Sequence, residues 1–324
     1  MLADRYIRTD FTSQEDFEKH FQLNIPRHFH FAYDVVDEYA RISPDKRAMI
    51  WCNVAGQERT FTFGEFSRLS NRAANVFKAQ GLTRGDPVLL MLKRRYQYWI
   101  AALGLLKLGC VLIPATAQLQ KKDIVYRVHS SGAKAILCVE EPEVQAHVLA
   151  AGAECDTITA LYTLGEAEGF LDFDRLLEAA DEHWEKPEVL PANEDIMLMY
   201  FTSGTTGMPK MAVHNWVYPI AQTVTAYYWH NVGDEDIHIA VADTGWAKAG
   251  WGKLYGQWIC GATLFVYDFD RFVAADMLAC LVKYRVTAFC APPTVYRFMI
   301  KEDMSLYDLS ALRWANCAGE PLNP

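Results

Sequence analysis

The order of apolar and amphipathic segments along this chain indicates an α/β protein with layered, mostly parallel sheets flanked by helices. Short apolar runs typical of strands alternate with segments of helical periodicity, and this alternation favours parallel pairing. Two of the predicted helices end at a glycine, Gly81 and Gly109, and a predicted strand follows each of them. The 324 residues, 51% of them hydrophobic and 22% charged, are enough to bury one large core or two ordinary ones.

The first part of the chain combines an irregular start with a regular α/β pattern. Residues 1–30 show no alternation and are expected to wrap the surface. The predicted strands are 48–51, 59–63, 88–92, 110–113, 135–139 and 161–163, and the predicted helices are 31–41, 64–80, 96–108, 123–131 and 174–183. The segment 140–195 is otherwise less regular, and its proline-rich end, 187–195, is typical of a connector. We therefore predict a first subdomain over 1–190, made of the N-terminal wrap and an α/β sheet.

The remainder, residues 191–324, is predicted to form a second α/β subdomain. Its predicted strands are 196–200, 211–216, 238–242, 264–267, 287–291 and 312–317, and its predicted helices are 218–229, 276–284 and 292–300. The last of these helices begins at two prolines, which are favourable in a first helical turn.

The amino-acid composition limits the classes of binding partner and the cellular compartments that are expected for this chain. The formal net charge of −9 argues against nucleic acid or an anionic membrane as the main partner. The eight cysteines form no Cys-x-x-Cys pair and lie mostly in apolar runs, which indicates buried thiols in a reducing compartment. The longest apolar run, 99–114, is broken by Lys107 and is too short to span a bilayer. Without a signal-peptide pattern, the chain is predicted to be cytoplasmic.

The segment from Thr202 to Lys210 has the chemistry of a phosphate-binding loop. Its glycines permit positive φ, so that backbone N–H groups can face an anion, and its hydroxyls and lysine add further donors. It lies between two predicted strands and lacks the Walker spacing, because the lysine follows a proline and no Ser or Thr comes after it. An unrelated P-loop NTPase is therefore disfavoured.

The sequence of this loop resembles the phosphate loop of the adenylate-forming, or AMP-binding, superfamily. Other segments at 114–127, 243–246, 292–297 and 318–324 also resemble that family. The combination of Asp-Thr-Gly-Trp at 243–246 with Gly-Glu-Pro-Leu at 319–322 is similar to the medium-chain and acetyl-CoA synthetase-like branch. The resemblance covers almost the whole chain.

This resemblance implies an acid–CoA ligase. Such an enzyme uses ATP and Mg²⁺ to adenylate a small or medium-chain carboxylic acid, then transfers the acyl group to coenzyme A and releases AMP and pyrophosphate. No protein nucleophile is required, so positioning and charge neutralisation carry the reaction.

The resemblance also implies site residues. The loop that would grip the phosphates consists of Thr202, Ser203, Gly204, Thr205, Thr206, Gly207, Met208, Pro209 and Lys210. Thr202 and Lys210 are the catalytic candidates. The segment expected beneath the adenine consists of Gly319, Glu320 and Pro321. Arg127 is a candidate for the CoA phosphates, although a plain helix-surface arginine fits its position as well.

The glycine- and tryptophan-rich segment after residue 243 is the candidate acid pocket. Its substrate candidates are Trp246, Gly250 and Trp251, with Gly250 and Gly252 expected to leave room for an acyl chain or for the pantetheine arm. The spacing of Trp251, Tyr255 and Trp258 predicts one face of a single helix, which is more typical of core than of a pocket. Lys248 and Lys253 are expected to be solvated.

The chain ends before the Tyr-Gly-x-Thr-Glu segment and the small C-terminal domain of the family pattern, which bring a magnesium ligand, a ribose ligand and a catalytic lysine. We therefore expect an incomplete N-terminal domain that binds nucleotide weakly, is inactive alone and can form a homo-oligomer through an apolar sheet edge. The alternative is a catalytically dead, nucleotide-binding or regulatory remnant of the family. The sequence leaves the acid open, from acetate-sized to medium-chain or branched.

Overall fold

Thirteen strands form two sheets in residues 1–202 and 207–321, the part of the chain that the computed structural model describes. The strands are β1 (Arg47–Asn53), β2 (Glu58–Thr62), β3 (Pro87–Met91), β4 (Val111–Pro114), β5 (Ala135–Cys138), β6 (Ala160–Thr163), β7 (Leu171–Asp172), β8 (Ile196–Thr202), β9 (Lys210–Asn215), β10 (Ile237–Ala240), β11 (Thr263–Asp268), β12 (Ala288–Ala291) and β13 (Trp314–Cys317).

Helices flank both sheets. The α-helices are α1 (Gln14–His20), α2 (Glu38–Ile42), α3 (Phe63–Ala79), α4 (Gln97–Leu108), α5 (Lys121–Ser131), α6 (Pro142–Gly152), α7 (Phe173–Ala179), α8 (Tyr218–Val224), α9 (Ala247–Lys253), α10 (Tyr255–Ile259), α11 (Ala274–Lys283) and α12 (Pro293–Met299). Two π-helical segments, Ala32–Asp37 and Thr225–Trp229, adjoin α2 and α8, and short 3₁₀ helices cover Leu2–Arg5 and Met304–Leu306.

Each sheet is parallel apart from one antiparallel strand at an edge. The seven-stranded sheet has the order β7-β6-β5-β3-β4-β8-β9, and only β8 and β9 pair antiparallel. The six-stranded sheet has the order β13-β12-β10-β11-β1-β2, and only β1 and β2 pair antiparallel. The neighbours of β3 are β4 and β5, and the connections after β3 and β5 lead in opposite directions, to β4 and to β6. This reversal creates a crevice of the kind where α/β sheets bind ligands.

The two sheets do not follow the predicted boundary at residue 190. The β1–β2 hairpin joins the six-stranded sheet through β11, with Met49 opposite Leu264. The β8–β9 hairpin, in turn, joins the seven-stranded sheet through β4. This exchange of strands between the two sheets depends on pairing between segments that are distant in sequence. It cannot be predicted by dividing the chain at one position. The division into 1–190 and 191–324 stays a prediction about domains.

Most predicted elements are present, and the differences have local causes. The segment 140–195, predicted to be irregular, contains α6, which begins with Pro142 in its first turn and has a small apolar face. The predicted helix 174–183 ends at Ala179. The single helix predicted around Trp251 and Trp258 is instead two short helices, because the backbone leaves helical geometry at Leu254 with φ −150° and ψ −80°.

One hydrophobic core joins the two sheets. It contains apolar residues of both sheets, such as Leu89 and Leu264, together with the buried faces of α3 and α4. A second core lies between the six-stranded sheet and α11, and it includes Phe265, Met277 and Phe289. All eight cysteines are free thiols, and six of them are buried, as predicted from their apolar surroundings. Among the described residues, no helix is long and apolar enough to cross a membrane.

The contact between α3 and α4 depends on Gly104. A Cβ atom built at Gly104 would lie 2.5 Å from the Ala73 Cβ and 2.8 Å from the Ala74 backbone nitrogen. We predict that Gly104→Ala lowers the free energy of unfolding by about 1–3 kcal/mol, because the two helices must separate. Urea unfolding measures this change.

Gly152→Ala in α6 is the matched control. The nearest atom to a Cβ at Gly152 is the terminal Leu161 Cδ1, at 3.0 Å, and that side chain can move aside. This variant should stay within about 1 kcal/mol of the parent protein. Equal stability of the two variants would show that α3 and α4 tolerate a wider separation.

Candidate active site

The predicted phosphate loop is bounded by Thr202, at the end of β8, and Lys210, at the start of β9, and these two strands pair antiparallel in the seven-stranded sheet. Thr202 and Lys210 are opposite each other in register, and the Thr202 hydroxyl donates to the Lys210 carbonyl oxygen at 3.3 Å. Gly207 has φ +103°, a left-handed conformation that suits glycine. The Lys210 side chain is exposed. We call β8, residues 203–209 and β9 the phosphate-loop hairpin.

Four loop residues predicted to bind phosphate, Ser203, Gly204, Thr205 and Thr206, lie outside the described residues, and their role stays a prediction. Met208 is exposed and Pro209 is partly buried. Among the described residues, the hairpin therefore presents a hydroxyl at Thr202 and an ammonium at Lys210 on one edge of the sheet.

Helix α5 supports this hairpin. The Tyr126 hydroxyl donates to the Pro209 carbonyl oxygen at 2.8 Å. The Arg127 guanidinium lies 5.1 Å from the centroid of the Phe201 ring, and its Nη1 donates to the Asp123 carbonyl oxygen at 3.0 Å. Burial lowers the pKa of Arg127. The structure thus places Arg127 against β8, and its proposed contact with CoA stays a prediction.

The segment Asp243–Trp246 follows β10 and contacts the carboxyl ends of β3 and β4. A Cβ atom at Gly245 would lie 2.2 Å from the Thr116 nitrogen and 2.3 Å from the Ala115 carbonyl carbon, so only glycine fits. The Thr244 hydroxyl donates to the Lys93 carbonyl oxygen. The Asp243 carboxylate accepts from the Gly245 N–H at 2.8 Å. These contacts leave the Trp246 side chain 59% exposed beside the crevice.

A cavity of about 590 Å³ opens next to Trp246, and we call it the Trp246 cleft. Its wall includes Thr116, Asp243 and Phe269. The basic side chains at 93–95, which follow β3, already form ion pairs with carboxylates. Lys93 forms ion pairs with Glu141 and Asp270, and Arg94 Nη1 lies 3.6 Å from the Asp243 carboxylate. The basic run at 93–95 is therefore an ion-pair network and not a free basic face.

Gly250 does not leave open space, in contrast to the prediction that it makes room for an acyl chain. A Cβ atom there would lie 2.6 Å from the Tyr200 hydroxyl oxygen. Tyr200 is buried, and within the described residues its hydroxyl has no hydrogen-bond partner. Burial raises the pKa of Tyr200 well above its ordinary value. Sequence reasoning missed Tyr200 because nothing in an apolar strand marks one tyrosine as part of a site.

The two lysines of α9 are not solvated, which corrects the sequence-based prediction. Lys248 Nζ donates to the Ala318 carbonyl oxygen at 2.8 Å. Lys253 is 2% exposed and donates to the Ala242 carbonyl oxygen at 2.9 Å. Burial lowers the pKa of Lys248 and lowers that of Lys253 to about 7, with the nearby Arg94 charge adding to the effect on Lys253.

Lys248 connects α9 to the segment that is predicted to lie beneath the adenine, residues 319–321. Gly319 has φ +109°, and a Cβ there would lie 3.8 Å from Lys248 Nζ. The Glu320 carboxylate accepts from the Thr294 hydroxyl at 2.5 Å and from its N–H at 3.3 Å, so it binds the start of α12. Pro321 is exposed. The segments around Tyr200, Trp246 and Gly319 therefore meet through α9.

Trp251, a residue of α9, packs against the end of the π-helical segment that follows α8. Its ring centroid is 5.8 Å from that of Trp229 and 5.7 Å from that of His230, whose ring plane is tilted by 30°. His230 in turn forms a 3.0 Å hydrogen bond with His238, and burial lowers the pKa of both imidazoles. Tyr255 and Trp258 are fully buried core residues. The expectation that this aromatic face belongs to the core is therefore correct for Tyr255 and Trp258, and Trp251 stays a candidate for binding the substrate.

The described residues contain no group of three or more His, Cys, Asp or Glu side chains that could hold a metal ion.

The chain belongs to the AMP-binding enzyme family, because the sequence model of that family matches residues 36–324. It is 36% identical over 327 residues to the human protein named acyl-coenzyme A synthetase ACSM3, mitochondrial, with 97% of this chain and 55% of that protein covered. It is 38% identical over 322 residues to human acyl-coenzyme A synthetase ACSM4, mitochondrial, with 95% and 54% covered. The chain spans about half the length of these relatives.

Solved structures show the same fold. A crystal structure of a Brucella canis acyl-CoA synthetase matches with a TM-score of 0.80 and 23% identity over 91% of this chain and 53% of that chain. The anthranilate CoA ligase AuaEII, in complex with anthranoyl-AMP, matches with a TM-score of 0.79 and 23% identity over 91% and 56%. These likenesses confirm the predicted α/β fold class.

The buried Lys253 predicts a specific pH dependence of stability. Its pKa is about 7 in the folded protein and has an ordinary value of 10.5, so between these values the unfolded chain binds a proton that the folded protein lacks. The free energy of unfolding should therefore rise with pH from 7 towards 10, by at most about 1.4 kcal/mol per pH unit from this group. Lys253→Met should remove that part of the slope.

Urea unfolding of parent and variant at several pH values between 7 and 10 checks this expectation. Lys122→Met, a substitution of an exposed lysine in α5, is the control and should keep the parent's slope. Parallel pH profiles for the parent and Lys253→Met would mean that Lys253 is not held in a low-pKa environment.

Proposed function

We propose that this chain forms the nucleotide- and acid-binding part of an acid–CoA ligase. One observation carries the proposal. Helix α9 contacts Tyr200 of β8 through Gly250, follows Trp246 directly and binds Ala318 through Lys248, so the candidate phosphate, acid and adenine segments adjoin one another. All three segments follow the carboxyl ends of strands, where open α/β sheets bind ligands. Family membership and the names of the relatives support the same reaction class.

In this proposal the protein binds and orients the reactants. The Thr202 hydroxyl and the Lys210 ammonium hold the phosphates of ATP, and the lysine offsets the charge that develops on the departing pyrophosphate. Residues 319–321 lie against the adenine, and Trp246 lines the path of the acid. The carboxylate of the substrate is itself the nucleophile that attacks the α-phosphorus. The thiol of CoA then attacks the acyl-adenylate, with Arg127 proposed to contact the CoA phosphates.

Binding of ATP to the 324-residue chain tests the role of Lys210. Lys210→Ala should weaken binding by about tenfold to a hundredfold, because a charge-assisted contact to phosphate contributes roughly 1.5–3 kcal/mol. Equilibrium titration with a fluorescent ATP analogue at low ionic strength provides the measurement. Lys122→Ala, which removes an exposed lysine from α5, is the control. If both variants bind as the parent does, the hairpin is not the phosphate site.

The second candidate is a nucleotide-binding or regulatory remnant without catalysis. The two candidates differ in whether pyrophosphate and acyl-adenylate form from ATP and a carboxylic acid. Formation of acyl-adenylate by this chain would exclude the remnant.

The compartment also belongs to the proposal. The sequence predicts a cytoplasmic protein, whereas the human relatives carry names that assign those proteins to mitochondria. Cell fractionation with an antibody against this chain decides between the two compartments.

A further inference from the structure

Two cysteines from distant parts of the chain meet on one face of the six-stranded sheet. Cys52 is in β1, and its side chain is buried in the second core, between this sheet and α11. Cys280 is in α11, is partly exposed and packs against the same core. Both are free thiols. Neither residue belongs to the segments assigned above to phosphate, adenine or acid binding.

The register of the β1–β2 hairpin and an ion pair from α11 place the two thiols side by side. Glu58 of β2 lies directly opposite Cys52, so their side chains are on the same face of the sheet. Lys283 of α11 forms an ion pair with the Glu58 carboxylate. Cys280 lies one turn before Lys283, on the same face of the helix. The Cys280 sulphur is thereby within hydrogen-bonding range of the Cys52 sulphur.

The neighbouring thiol favours the ionised form of Cys52. A hydrogen bond from the Cys280 S–H to the Cys52 sulphur stabilises a thiolate there, and it lowers the pKa of Cys52 although burial opposes this effect. The thiolate is the form of cysteine that reacts with oxidants. Because Cys280 is partly exposed, a small oxidant can reach the pair from solvent.

We propose that hydrogen peroxide oxidises Cys52 and Cys280 to a reversible disulfide bond. The Cys52 thiolate attacks one peroxide oxygen, the O–O bond breaks, and the other oxygen takes up protons and leaves as water. The Cys280 thiol then attacks the sulfenic acid formed at Cys52, and the sulfenic oxygen leaves as a second water molecule. In total the two thiols lose two electrons and two protons, and one peroxide molecule is reduced to two molecules of water.

This bond joins the β1–β2 hairpin to a helix that comes much later in the chain. Strand β2 is at the edge of the sheet and its residues 58–60 are exposed, so the hairpin can shift towards α11 as the bond forms. A cross-link between such distant positions restricts the unfolded chain, and the oxidised protein is therefore expected to be the more stable form. In a reducing compartment the pair stays reduced, and the disulfide forms only under oxidative conditions.

Thiol counting on the folded 324-residue chain, before and after treatment with hydrogen peroxide at neutral pH, tests this site. The parent should show eight thiols in denaturant before oxidation and two fewer after it. Cys280→Ser should lose none. Cys317→Ser, which removes the other partly exposed cysteine, is the matched control and should again lose two. Peptide mapping without reductant should show the Cys52 and Cys280 peptides linked, and dithiothreitol should restore both thiols.

Three results would overturn the proposal. One is equal loss of thiols in the parent and in Cys280→Ser. Another is a linked peptide that joins other cysteines or two separate chains. The third is no loss of thiols in the parent at a peroxide concentration that oxidises glutathione. Thermal unfolding establishes that each variant folds, and if Cys280→Ser and Cys280→Ala both fail to fold, the linked peptide of the parent decides alone.

Discussion

A backbone contact at Gly245 holds the carboxyl ends of the two sheets against each other. The connection after β10 approaches the chain at Ala115 and Thr116 so closely that no Cβ fits between them. The adjacent Thr244 donates its hydroxyl to the Lys93 carbonyl, so the same connection also contacts the end of β3. The start of α9 is thereby fixed, and with it the positions of Trp246, Gly250 and Lys248 relative to the phosphate-loop hairpin. The candidate site depends on a contact between main chains more than on any one functional side chain.

Helix α9 uses charged side chains as internal donors. Lys248 and Lys253 each bind a backbone carbonyl close to the carboxyl end of a strand, β13 and β10 respectively. Burying an ammonium group is unfavourable, and the lowered pKa values reflect that penalty. A neutral amine still donates N–H groups, so these contacts survive deprotonation. Helix α9 thus connects the carboxyl ends of β13 and β10 through hydrogen bonds from two of its own side chains.

Local patterns in the sequence predicted the strands, the parallel class and the hairpin around the phosphate loop. Apolar runs such as Val88–Leu92 are buried on both faces. Strands of parallel sheets are typically buried in this way, so continuous apolar runs predict parallel strands. The loop chemistry around Lys210 identified the family, which the comparisons confirmed. The contact of Tyr200 with Gly250 and the burial of Lys253 could not be predicted, because they depend on segments that are distant in sequence.

The exchange of strands between the sheets has a consequence for how the protein reaches its native state. The β1–β2 hairpin is synthesised early, yet its parallel partner β11 begins only at Thr263. Until that strand leaves the ribosome, β1 presents an unpaired edge with five consecutive buried-type residues, Ala48 to Cys52. Long-range parallel pairing of this kind is slow and prone to wrong partners. The seven-stranded sheet lies within residues 87–215 and can form first, whereas the six-stranded sheet needs strands that extend from residue 47 to residue 317.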